Sequence, residues 1–195
     1  MNGETWRNVE LLREWLDAEA AAATTANMRL LRVIKISEEL GEVAEAVHGA
    51  LGANPRKGAS HTWADVEKEL ADVIVTAMVA LDTISGDAGK VLETQQDQRA
   101  PETDEAPVGD VRLLRVLSIS EDMGKVAEAL YGALGVTPRG EAAGVSHTWE
   151  DVERQLGDLI VTAMRALDVI NGDAPSAVDR RLHHLVQRVL GDTRS

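Results

Sequence analysis

Two pairs of acids, each spaced three residues apart, are the side chains of this chain best placed to do chemistry. Glu39 and Glu42 close the run E-E-x-x-E that begins at Glu38, and Glu69 and Asp72 form E-x-x-D thirty residues after Glu39. At i and i+3, two carboxylates leave the same side of a helix. Glu39 has Ile36 and Val43 as its i−3 and i+4 neighbours, so it borders an apolar stripe. Asp72 lies inside LADVIVTAMVAL, where Asp is a poor helix former and an unpaired buried carboxylate is costly. Two such helices in antiparallel contact bring four negative charges to one seam, and a hard divalent cation relieves their repulsion. Mg²⁺ suits the donors: it takes oxygen ligands, keeps several waters and works with a few carboxylates plus substrate phosphates. Mn²⁺ is the natural substitute. No cysteine is present and no histidine falls at ligand spacing with these acids, which disfavours zinc. Solvated surface acids would account for one such pair alone; they account poorly for two pairs, one of them in an apolar run.

The elements that carry these acids are helices. Trp6, Val9, Leu12, Trp15 and Leu16 step at helical spacing and predict a first helix over 5–20. Val33, Ile36, Leu40, Val43, Val47 and Leu51 predict a second over 27–51, with Thr24 or Thr25 as N-cap and Gly52 as its stop. Thr62-Trp-Ala-Asp65 reads as a capping box opening a third helix that runs to about 85 and closes at Gly86. A shorter helix follows over 87–99. No strand pattern is visible, so the expected class is all-α.

The chain then repeats itself. Residues 112–135 match 29–52 at 17 of 24 positions, and 146–174 match 60–88 at 21 of 29. The expected organisation is copy one over 1–99, a polar, proline-containing linker over 100–109, and copy two over 110–195. Copy two has helices over 110–134, 148–171 and 175–190, with Gly172 as a stop and an inter-helix loop three residues longer. One copy offers little core by itself, so the two are expected to pack on each other as an intrachain pseudo-dimer, monomeric overall or paired again as a homodimer. With no Phe, one Tyr and four Trp, that core must be aliphatic.

The mismatches between copies fall on the acids. Glu39 becomes Asp122, Glu42 becomes Lys125 and Glu69 becomes Gln155, while Glu121 and Asp158 persist. The Lys125 ammonium can reach the space a metal would fill and pair with Asp122 or Asp158, so copy two reads as a site that has lost its metal.

Composition narrows the partners. A net charge of −13 argues against nucleic acid and against anionic membranes. The longest apolar stretch is broken by Asp72 and too short to span a bilayer, and no apolar segment follows a basic start, so the expectation is a cytoplasmic protein. The absence of cysteine excludes thiol chemistry and disulfides.

EELGE at 38–42 followed by ELAD at 69–72 resembles the E-E-x-x-E … E-x-x-D signature of the MazG-like, all-α nucleoside triphosphate pyrophosphatases, a superfamily that also holds dimeric dUTPases and phosphoribosyl-ATP pyrophosphohydrolases. The likeness covers most of the chain, once per copy, and extends to NPRKG and HTWADVEKELADVIVTAM. It implies Mg²⁺-dependent cleavage of a nucleoside triphosphate between the α- and β-phosphates, giving a monophosphate and pyrophosphate, in the manner of enzymes that clear unwanted nucleotides. It also implies that Glu39, Glu42, Glu69 and Asp72 are the metal ligands and that Glu38 takes the proton of the attacking water.

Weaker substrate contacts are open to two readings each. Arg56 and Lys57, in the loop after the second helix, are either a phosphate contact or a solvated pair. Lys35, one turn before Glu38, either faces the same cleft or is a surface lysine. Trp63 and its counterpart Trp149 either stack on a base or pack the start of their helices, and His61 and His147 before them read as loop or capping residues. The rival to an enzyme is a nucleotide-binding or regulatory scaffold of the same fold, for which the degenerate copy two speaks. Metal dependence separates the two.

Overall fold

A computed structural model describes residues 1–56, 58–98 and 110–192. Seven helices run through them: α1 (Gly3–Ala23), α2 (Met28–Ala50), α3 (Trp63–Ile84), α4 (Ala88–Gln98), α5 (Val111–Leu134), α6 (Trp149–Asn171) and α7 (Ala174–Asp192). Among the described residues the only β pairing is an isolated bridge between Val136 and Ala142, in the longer loop of the second half. The all-α expectation holds. The linker expected over 100–109 lies outside the described residues.

The helix starts show how local chemistry sets the boundaries. Thr62 accepts from the Asp65 N–H, and the Asp65 carboxylate accepts from the Thr62 N–H at 2.7 Å; Thr148 and Asp151 repeat the box at α6. Those bonds hold both aspartates below the ordinary carboxylate value. Two expected boundaries are corrected. Thr24 ends α1, its N–H bonding Ala20 O and its hydroxyl accepting from Ala26 N–H, so the N-cap of α2 falls to Asn27. Likewise α3 closes on Ser85 in extended backbone, which needs no glycine, so Gly86 is not its stop. Gly52 and Gly172 do take the left-handed conformation expected of helix stops, at φ 62° and 75°.

The helix pairs α2–α3 and α5–α6 form two hairpins, and α3 packs on α6 between them. The aliphatic core expected from composition is present: Ile36, Leu70, Ile74, Met78 and Leu81 meet Ile119, Leu156, Leu159, Ile160 and Leu167, all fully buried. Two glycines set the hairpin geometry. A Cβ on Gly49 would stand 2.2 Å from His61 Nδ1, and one on Gly132 the same distance from His147 Nδ1. The histidines thus pack the loop return onto α2 and α5.

The flanking helices cross between the halves. α4, which follows α3, packs chiefly on α6, and α7, which follows α6, packs on α3 and α1. α1 completes a layer over α3 and α7. The helix starts are tied reciprocally as well. Arg112 at the start of α5 lies over the Trp63 ring, 4.1 Å from its centroid, and Arg29 at the start of α2 lies over Trp149 at 4.3 Å. Each arginine and each tryptophan is the repeat counterpart of the other.

Candidate metal centre

The hairpin α2–α3 brings three of the acids together. Glu39 from α2 and Glu69 and Asp72 from α3 each offer a carboxylate oxygen, all within 4.8 Å of one another; among the described residues no other cluster of three such groups forms. Glu39 and Asp72 are buried, each 7% exposed. The helical stripes explain this: Glu39 stands between Ile36 and Val43, and Asp72 between Leu70 and Ile74, all fully buried. Glu42 sits at the rim, exposed. Partial desolvation, then the charges of Glu39 and Glu69, push its carboxyl above the ordinary glutamate value.

The donor set suits a hard cation. Every donor is oxygen, and one oxygen, Glu69 Oε2, is buried with no hydrogen-bond partner. A hard divalent cation fits the residues present: Glu39, Glu69 and Asp72 would hold it.

Cations surround the acids. Lys35 Nζ lies 2.9 Å from both Glu38 Oε1 and Glu39 Oε1. Burial works against the Lys35 charge, but the two glutamates outweigh it and its pKa is raised. Lys68 Nζ lies 2.6 Å from Glu69 Oε1 and 3.7 Å from Asp72 Oδ2, and its bond to Glu69 raises its pKa in turn. Arg181 arrives from α7, across the molecule, and grips Asp72 with both prongs: Nε to Oδ1 at 2.5 Å and Nη2 to Oδ2 at 2.8 Å.

A cavity of about 470 Å³ opens over this ring. Glu39, Glu42 and Asp72 line one side together with Lys35, Lys68 and Arg181. Leu12, Trp15 and Leu16 of α1 and Leu185 of α7 form an apolar side, and Arg188 adds another cation.

The other sequence candidates lie elsewhere. Glu38 does not line the cavity; its side chain is 59% exposed and bound to Lys35. Arg56 is exposed in the loop after α2 and does not line the cavity either. Lys57 lies outside the described residues. Trp63 is under Arg112 at the far end of the hairpin.

Arg181, Lys68, Arg188 and the α1 wall were missed from sequence. The signal that could have found the two arginines is the apolar step Val178, Leu182, Leu185, Val189 in α7, with positions 181 and 188 beside it in an acidic chain.

In the second half the same positions assemble differently. Lys125 Nζ lies 2.9 Å from Asp122 Oδ1 and 2.9 Å from Glu121 Oε1, while Thr162 Oγ1 donates to Asp122 Oδ2 at 2.5 Å. Lys125 therefore pairs with Asp122, one of the two partners expected for it, and with Glu121. The bonds to Glu121 and Asp122 raise its pKa well beyond the ordinary lysine value. A smaller polar cavity of about 220 Å³ remains, lined by Arg115, Ser118, Lys125 and Arg165 among others.

Comparison of the chain with protein-family models, curated proteins and solved structures returns no match. No helix among the described residues is long and apolar enough to cross a membrane.

Proposed function

We propose that the protein is a Mg²⁺-dependent nucleotide pyrophosphohydrolase, with its site in the first half, on a tandem MazG-like fold whose two copies pair within one chain. The observation that carries this reading is the convergence of Glu39, Glu69 and Asp72 within 4.8 Å beside a cavity ringed with cations. Carboxylates alone would repel a triphosphate; carboxylates that hold a divalent cation, with lysines and arginines around them, receive one. A cavity of about 470 Å³ is in the range of small-molecule sites.

Each part of the cavity has a role in this reading. Glu39, Glu69 and Asp72 hold the cation, with Glu42 at the rim. The bound cation supplies charge neutralisation at the phosphates and a more acidic water. Lys35, Lys68 and Arg188 neutralise the phosphate oxygens. Trp15, Leu12 and Leu16 offer an apolar wall to the nucleoside. Glu38, exposed and paired with Lys35 outside the cavity lining, keeps the proton-accepting role only if Lys35 turns to the phosphates. The second half, with Lys125 on Asp122 and Gln155 in place of Glu69, supports the fold and lends α7 to the site.

The test is product analysis. A panel of canonical and modified ribo- and deoxyribonucleoside triphosphates with Mg²⁺ is expected to give monophosphate and pyrophosphate, and nothing in EDTA. Orthophosphate as the first product would exclude cleavage between the α- and β-phosphates.

One observation favours a non-catalytic scaffold instead: Arg181, Lys68 and Lys35 already neutralise the acids, as Lys125 does in the other half. On that reading nucleotides bind without Mg²⁺, and metal leaves the melting temperature unchanged.

A further inference from the structure

The exchanged helices treat the two halves differently. α7 delivers Arg181 to the acid-rich half, where it takes both oxygens of Asp72. Extending the register of the repeat beyond 88 and 174 sets Arg181 opposite Gln95 on α4, which packs on α6 of the acid-poor half. There Gln95 is buried at 8% exposure, its Cγ within 2.7 Å of where a Cβ on Gly157 would stand. Gly157 directly precedes Asp158, the counterpart of Asp72. The same helix position thus carries a guanidinium where the acids are kept and an uncharged amide where two of them have been replaced. A purely architectural residue has no reason to follow the acids in this way.

We infer that Arg181 is an exchangeable counter-cation: it neutralises Asp72 while no metal is bound, and releases that carboxylate to a divalent cation, turning its own charge to the triphosphate. The inference rests on the reading of Glu39, Glu69 and Asp72 as a metal site. Its logic is charge balance. Asp72 is buried and must be compensated at all times. The guanidinium meets that need with two parallel bonds, and those bonds occupy the very oxygens a metal would use. Arg181 also lines the cavity beside Lys68 and Arg188, so a freed guanidinium remains within the substrate space. Because α7 belongs to the second half, metal and nucleotide would be sensed across the interface between halves.

The test is Mn²⁺ binding to the full-length protein, followed by electron paramagnetic resonance of free Mn²⁺, on wild type, R181Q and R181K. R181Q copies the residue found at position 95. The account expects R181Q to bind Mn²⁺ about tenfold more tightly, since a competitor has gone. It also expects R181Q to melt lower than wild type in EDTA and to recover in Mn²⁺, and to bind a non-hydrolysable triphosphate more weakly. R181K keeps the charge without the fork and falls between the two; it carries the test if R181Q does not fold. Unchanged or weaker Mn²⁺ binding in the variants, with wild type binding normally, overturns the exchange and leaves the metal site standing. No Mn²⁺ binding by any of the three proteins overturns both.

Discussion

Lys125 stands at the position that Glu42 holds in the first half, and its ammonium lies 2.9 Å from the buried carboxylate of Asp122. One substitution thereby puts a cation where the first half has a rim acid. Both halves sink a carboxylate in a helix seam and set a cation against it, but with different neighbours. The first leaves Glu69 Oε2 unpartnered and gathers three acids; the second brings a lysine and a threonine hydroxyl to one.

Replacing Lys125 by Met keeps the length and removes the charge. Asp122 has only 8% of its side chain exposed, so the loss of compensation is felt. Lys125 itself is 47% exposed, which places the cost below the level of a fully enclosed pair. Urea denaturation is expected to show a loss of about 1–3 kcal/mol. A loss under about 0.5 kcal/mol would mean that Lys125 is an ordinary surface pair.

Glu42 gives a pH-dependent prediction. Its carboxyl is raised by partial desolvation and by the charges of Glu39 and Glu69. A carboxyl with a raised folded pKa holds its proton more tightly folded than unfolded. Its charge therefore opposes folding above that pKa, and the opposition fades as pH falls through it and is gone below the ordinary value of 4.5. In EDTA, Glu42→Gln is expected to stabilise the protein at pH 7, by no more than about 0.5 kcal/mol because the group is exposed. The gain should vanish near pH 4. A gain of equal size at both pH values would assign the effect to packing, not charge.

Each half depends on the other for burial. Val66, Leu70, Val73, Ile74, Ala77, Met78 and Leu81 point to more than one side of α3, and all are fully buried, against α2, α6 and α7 in turn. A chain ending at residue 98 keeps α2 and loses α6 and α7. It is expected to give no cooperative unfolding transition as a monomer, by circular dichroism and sedimentation. A folded, monomeric and fully active product would contradict the role given to the second half.

Much of this was legible in the sequence because helices write their apolar period plainly. The period expected over 27–51 and from Thr62 to about 85 placed both hairpin helices to within a residue or two of their ends. The acids were legible for the same reason: Asp72 stands out because its neighbours are Ala71, Val73 and Ile74. What the sequence concealed is three-dimensional. Arg181 lies 109 residues from Asp72, and nothing in the one-dimensional pattern says that α7 crosses to α3. Trp63 offered its ring to any partner, and the partner is Arg112, which only the packing of the two halves brings over it. Helix ends were harder still, since Thr24, Thr25 and Asn27 compete within four residues for a single cap.

On the proposed function, the carboxylates of the first half hold the metal on which pyrophosphate release depends. Glu69→Gln tests it most directly. The substitution keeps the shape, removes one charge and installs the residue that the second half already carries as Gln155. Pyrophosphate release from nucleoside triphosphates with Mg²⁺ is measured on wild type and variant side by side. The account predicts release by wild type and none above background by a folded Glu69→Gln. Equal rates from the two, or no release by wild type on any nucleotide, would contradict it.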